Sequence, residues 1–132
     1  MDLGIRFDEW QNSHHARHEA ACAFLYHAVQ LMPDSAEANR LYGACVKIDD
    51  LELGLAYLRK AIDLDASEPE GYFKLGCALA DKYPADALLA LRRAEELDIS
   101  GVWSAKARGV IALHSLEDGR PGEDGNSSNP GN

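Results

Sequence analysis

The sequence predicts an all-α protein built from repeated helix pairs, and its composition is the first reason. Its 132 residues include 20 Ala and 17 Leu, whereas Thr is absent and Val and Ile together number nine. Ala and Leu keep most of their side-chain freedom in a helix, while β-branched residues lose it and suit strands. A chain of this length has room for one domain.

An internal repeat with a period of 33 residues is the second reason. Residues of one type recur at this interval in several columns, among them Leu25/Leu58/Leu91, Ala28/Ala61/Ala94 and Gly43/Gly76/Gly109. A fixed period of this size indicates one supersecondary unit per repeat, stacked into an array. The small residues let neighbouring helices approach closely, and the Leu side chains fill the space between them.

Unit one covers about residues 1–34 and is predicted to hold two helices. The first spans about Leu3–Gln11. The second spans about His15–Met32 and is stopped by Pro33, which cannot continue a helix.

Units two and three cover about residues 35–67 and 68–100, each with two helices of 3–4 apolar spacing. The predicted helices are Ala36–Ile48, Leu51–Leu64, Pro69–Asp81 and Pro84–Leu97. Pro84 suits a first helical turn, where its missing N–H costs nothing. A last helix, about Val102–Leu116 within residues 101–116, is expected to cover the exposed face of the final pair.

The remaining residues, 117–132, are predicted to form a disordered acidic tail. They contain four acids and one base, and no aromatic or aliphatic side chain. Such a segment cannot bury enough apolar area to offset the entropy cost of ordering it. The folded domain is therefore expected to end at about residue 116.

The repeat resembles the tetratricopeptide repeat (TPR) family, which has Trp, Leu, Gly, Tyr, Ala, Phe, Ala and Pro at fixed positions of a unit of about 34 residues. The matching positions in unit three are Tyr72, Leu75, Gly76, Leu79, Ala87, Leu91 and Ala94. Unit two matches at Asn39, Tyr42, Gly43, Val46, Gly54, Leu58, Ala61 and Ala66. The resemblance implies a right-handed superhelix of three TPR-like helix pairs plus a C-terminal capping helix.

The stretch from Leu41 to Asp98 is also similar to the small acidic TPR chaperones of bacterial type III secretion. Those proteins have about this length and three TPR-like units. The resemblance implies that the chain would hold an apolar export substrate in its concave face.

By this resemblance, the first helix of each unit lines a concave groove that binds a peptide or an amphipathic helix of another protein. The residues expected to face it are Phe7, Trp10, Arg40, Ala44, Lys47, Glu70, Phe73, Cys77, Ala80 and Asp81. Phe73 with the small residues would form an apolar floor, with the charged residues along its sides. The alternative is that Phe73 only packs against the neighbouring helix.

Charge and motifs indicate which partners and activities are not expected. The chain has 22 acids and 13 bases, a formal charge of −9, whereas nucleic-acid binding needs a basic face. No apolar run approaches the roughly 20 residues that span a bilayer. There is no Walker A loop, GxSxG, HExxH or CxxC motif, so neither an enzyme nor a cofactor site is expected. Three separated cysteines without a basic, apolar leader favour reduced thiols in the cytoplasm.

Two further features leave alternatives open. His14, His18 and Cys22 are spaced by four residues, as metal ligands on one helix face would be, but no fourth ligand is evident. Ordinary histidines at the start of a helix are the favoured interpretation, and no metal is predicted. Apolar surface at the N-terminal end of the array could also pair two copies into a homodimer.

Overall fold

The computed structural model describes residues 6–116, with side chains for residue 9 and residues 11–116. In this range the chain forms six α-helices, α1 (Arg6–Leu31), α2 (Ala36–Val46), α3 (Leu51–Leu64), α4 (Pro69–Leu79), α5 (Pro84–Leu97) and α6 (Val102–Leu113). No β-strand occurs between residues 6 and 116, and the predicted all-α fold class is confirmed. No helix in this part of the chain is long and apolar enough to cross a bilayer.

The helices of units two and three lie close to where the sequence predicts them, because their starts are encoded locally. Ser35 accepts a hydrogen bond from the Ala38 backbone N–H (3.0 Å), and Asp50 accepts one from the Leu53 N–H (3.1 Å). These side chains satisfy backbone donors that a helix start leaves unpaired. The helices α4 and α5 instead begin with a proline.

Unit one differs from the prediction of two helices, since α1 runs without a break from Arg6 to Leu31. The predicted turn between Gln11 and His15 contains no Gly or Pro. Asn12 and Ser13 lower helix propensity by only about 0.5 kcal/mol each, which does not stop a long helix. The predicted acidic tail, 117–132, lies outside the described residues, as does the predicted helix start at Leu3.

The helices stack into two layers. Neighbours in sequence pack against each other from α1 to α6, and in addition α2 contacts α4 and α4 contacts α6. The first helices of successive units therefore lie side by side, with α3 and α5 behind them. This arrangement places the surface of α2, α4 and α6 on one side of the molecule.

The repeat columns form the core in units two and three but not in unit one. Leu58, Leu91 and Ala94 are fully buried. Leu25 and Ala28, the equivalent residues of α1, are half-buried. The difference arises because no separate helix of unit one packs on the other side of α1 within the described chain.

Glycine permits the closest helix contacts. A Cβ atom at Gly54 of α3 would lie 2.5 Å from the Cβ of Lys47, and one at Gly76 of α4 would lie 2.5 Å from the Cγ of Leu91. Gly109 of α6 belongs to the same column as Gly76, yet a Cβ there would meet nothing within 4 Å. In the described chain, no further helix packs against this face of α6.

The two glycine environments predict opposite effects of alanine. Gly54→Ala should lower the free energy of unfolding by about 1–2 kcal/mol, since its Cβ would collide with Lys47 and overpacking outweighs the gain in helix propensity. Gly109→Ala is the matched control and should raise the free energy of unfolding by about 0.5–1 kcal/mol. Urea denaturation measures both. Equal stability of the two variants would contradict the proposed close contact of α2 and α3.

Candidate functional site

A depression lies on the surface between α2 and α4. It has a volume of about 240 Å³ and is lined by Ala44, Lys47, Phe73, Lys74 and Cys77. Ala44 lies in the last turn of α2, Lys47 directly follows this helix, and the other three residues belong to α4. The two helices thus leave a trough between them with the Phe73 ring at one end.

A second depression of about 250 Å³ continues the first. The two share Lys47 and Cys77, and the second also includes Ile48, Leu51, Ala78 and Asp81. We call the two together the α2–α4 groove. The mixture of apolar floor and charged edge is typical of surfaces that bind a protein segment.

The aromatic end of the groove extends onto α6. The ring centroids of Phe73 and Trp103 are 5.3 Å apart and the rings are tilted by 48°. The ammonium of Lys106 lies 4.8 Å from the Trp103 centroid, within the range of a cation–π contact. Phe73 therefore contributes to two environments, because it packs against α6 and also lines the groove.

The groove has a basic rim around a neutral thiol. Burial raises the pKa of Cys77, while the charges of Lys47, Lys74 and Lys106 act in the opposite direction. The thiol is therefore protonated at neutral pH, and three ammonium groups lie near enough to act on it. This local positive charge contrasts with the net charge of −9 of the whole chain.

Arg40 and Glu70, both expected at the groove, lie against each other. Arg40 Nε is 3.7 Å from Glu70 Oε1, and the side chains are 10% and 24% exposed. Glu70 also lies 3.6 Å from the ammonium of Lys74. The Arg40–Glu70 contact links α2 to α4, so Arg40 is a buried structural cation rather than an open flank.

The structure brings together five of the ten expected groove residues, namely Ala44, Lys47, Phe73, Cys77 and Asp81. Ala80 is 6% exposed and belongs to the hydrophobic core. Phe7 and Trp10 lie in the first turns of α1, but their side chains are outside the described residues.

Sequence reasoning missed Lys74, Trp103 and Lys106. The repeat contains a signal for Trp103 and Lys106. They lie 33 residues after Glu70 and Phe73, two residues that were expected to face the groove. The last helix was interpreted as a cap alone. In the structure it also continues the layer formed by α2 and α4.

Comparison with known proteins supports the fold. No protein-family model and no curated protein sequence matches the chain. Among solved structures, it is similar to the type III secretion chaperone SycD of Yersinia enterocolitica, crystallised in complex with a peptide of the translocator YopD. The TM-score is 0.67 at 19% sequence identity, and the match covers 87% of this chain and 90% of the other. At this identity the likeness shows a shared all-α, TPR-like fold.

A buried ion pair and an exposed ion pair should contribute differently to the free energy of unfolding. Arg40→Met should lower the free energy of unfolding by about 1–3 kcal/mol, because it removes a buried cation facing a half-buried carboxylate. Lys82 is the control, since it pairs with Glu52 at 3.4 Å while both side chains are 60% exposed. Lys82→Met should change stability much less, because water screens exposed pairs. Chemical denaturation of both variants measures the difference, and an equal loss would contradict the structural role of Arg40.

Proposed function

We propose that this chain is a non-enzymatic adaptor or chaperone that binds a segment of another protein in the α2–α4 groove. The observation that carries the proposal is the groove itself, which has an aromatic side chain at one end, an apolar floor and a basic rim. The residues proposed to contact the partner are Ala44, Lys47, Phe73, Cys77 and Asp81. Trp103 and Lys106 extend this contact onto α6.

The fold likeness supports the proposal. SycD, which shares the arrangement of helices, was crystallised with a peptide of a translocator. A layer of parallel helices presents a trough whose length and direction suit an extended segment or one face of a helix. No nucleic acid or membrane surface is proposed as a partner, since both are anionic and would be repelled by a charge of −9.

The chemistry of the groove defines the segment it would take. An aromatic or Leu side chain fits against Phe73 over the small residue Ala44, and neutral Cys77 adds apolar area. Carboxylates on either side of this anchor would meet Lys47, Lys74 and Lys106. We therefore propose a segment with one or two apolar anchors flanked by Asp or Glu.

Selection from a random peptide library tests this proposal without a known partner. The wild-type protein should enrich peptides with an aromatic or Leu anchor and neighbouring acids. Phe73→Glu should weaken the selected peptides by at least about 30-fold, as expected for loss of a buried aromatic anchor. Fluorescence anisotropy with a labelled peptide measures the affinity.

Two control variants place the same charge outside the groove. Leu89 of α5 is 70% exposed and Lys60 of α3 is exposed. Leu89→Glu and Lys60→Glu should leave the affinity unchanged, whereas Lys47→Glu should select against acidic peptides. A Phe73→Glu protein that is folded by circular dichroism and binds as tightly as wild type would overturn the groove proposal.

A narrower proposal is that the chain is a type III secretion chaperone that holds an export substrate in the cytoplasm. Its support is the likeness to SycD together with the resemblance of residues 41–98 to that class. Co-expression with a candidate substrate tests it. The substrate should become soluble with the wild type and remain aggregated with Phe73→Glu.

A second candidate function is self-association through α1. Phe24 and Leu31 are 73% and 79% exposed, and their spacing of seven residues places both on one face of this helix. Two copies could bury these side chains against each other.

Sedimentation equilibrium tests self-association. The wild type should reach twice the chain mass of 14.4 kDa as concentration rises, and Phe24→Glu should remain a monomer. Leu89→Glu serves as the control on another helix. A monomeric wild type at the highest concentration would rule out the homodimer.

A further inference from the structure

Three side chains that bind soft metals lie together where α1 packs against the end of α2. His18 and Cys22 occupy successive turns of α1, and Cys45 lies one residue before the end of α2. One ligating atom from each lies within 4.8 Å of the other two, and all three residues are half-buried. Among the side chains that the structure describes, residue 9 and residues 11–116, no other group of this kind occurs.

The distances are those of ligands around a small tetrahedral ion. Cys22 Sγ lies 3.7 Å from His18 Nε2, and Cys45 Sγ lies 3.8 Å from His18 Nδ1. Zinc bonds of about 2.3 Å to sulfur and 2.0–2.1 Å to nitrogen place adjacent ligand atoms about 3.5 Å apart. The two sulfurs contact different nitrogens of the ring, so an ion bound by Nε2 requires Cys45 to change its rotamer.

A fourth donor completes the set. Asp49, in the turn that follows α2, has its Oδ2 atom 3.0 Å from His18 Nε2. Its carboxylate is 60% exposed and lies outside the 4.8 Å cluster of the other three, so the site requires it to turn toward the sulfur atoms. One imidazole, two thiols and one carboxylate are donors found in zinc sites.

We propose that His18, Cys22, Cys45 and Asp49 bind one Zn²⁺ ion. Binding forms two zinc–thiolate bonds and releases two thiol protons to solvent. The site is separate from the α2–α4 groove and does not depend on the proposed function.

The ion would stabilise the packing of α1 against α2. Three buried residues, Val29, Ala38 and Tyr42, form the core between α1 and α2. His18 and Cys22 lie up to three turns before Val29 along α1, so the ion would add a second point of attachment. Metal removal should therefore loosen α1 before the core of α4 and α5.

Uptake of Co²⁺ and Zn²⁺ by the full, reduced chain tests the site. Co²⁺ should bind one ion per chain and give thiolate charge-transfer and tetrahedral visible bands, and Zn²⁺ should displace it. Cys22→Ser, Cys45→Ser and His18→Ala should each weaken Zn²⁺ binding more than about 100-fold, because changes outside the ligand shell already cost about 10–100-fold. A chelator should lower the melting temperature of the wild type but not that of these three variants.

Matched controls use residues of the same type outside the cluster. Cys77 is the third cysteine, and His15 is a neighbouring, exposed histidine on α1 that contacts Glu19. Cys77→Ser and His15→Ala should retain one ion per chain and the wild-type spectrum. Equal loss in Cys77→Ser and Cys22→Ser would show binding to any thiol and would overturn the proposal.

A measurement on the wild type keeps the test independent of folding in the variants. Zn²⁺ should protect Cys22 and Cys45 from alkylation and leave Cys77 as reactive as before. Reduced wild-type protein that takes up no Co²⁺, or whose Cys22 and Cys45 are alkylated equally with and without Zn²⁺, would overturn the site.

Discussion

The close approach of paired helices at Gly43, Gly54 and Gly76 determines the arrangement of the whole domain. At each of these positions a methyl group would lie within 3 Å of the facing helix. Each pair packs as one unit, and the first helix of one pair contacts the first helix of the next. This contact places α2, α4 and α6 side by side, and the α2–α4 groove is the trough between two of them.

Charge is distributed so that the groove differs from the rest of the surface. The pair of Arg40 and Glu70 joins α2 to α4, and its low exposure limits screening of its attraction by water. The lysines at positions 47, 74 and 106 remain around Cys77 as a local positive rim on an acidic protein. An acidic segment would thus be attracted to this surface, while the surrounding negative charge would disfavour other orientations.

Much of the fold follows from the sequence, since local signals such as Ser35, Asp50 and Pro84 mark where helices begin. Long-range consequences were harder to predict. The spacing of His14, His18 and Cys22 concerns one helix and does not by itself predict a metal site, whereas the structure brings Cys45 of α2 to His18 and Cys22. Likewise, the repeat period places Ala80 on the groove, whereas the structure buries it in the core. The reason is that a period alone does not define how each helix is rotated relative to its neighbours.

The central claim is that a partner segment lies across α2, α4 and α6 rather than on the outer helices. Hydrogen–deuterium exchange of the protein with and without a library-selected peptide tests it most directly. The account predicts added protection at the C-terminal end of α2, in α4 around Phe73 and at Trp103, with little change in α3 or in the exposed face of α1. Protection centred on α1, with α4 unchanged, would contradict it.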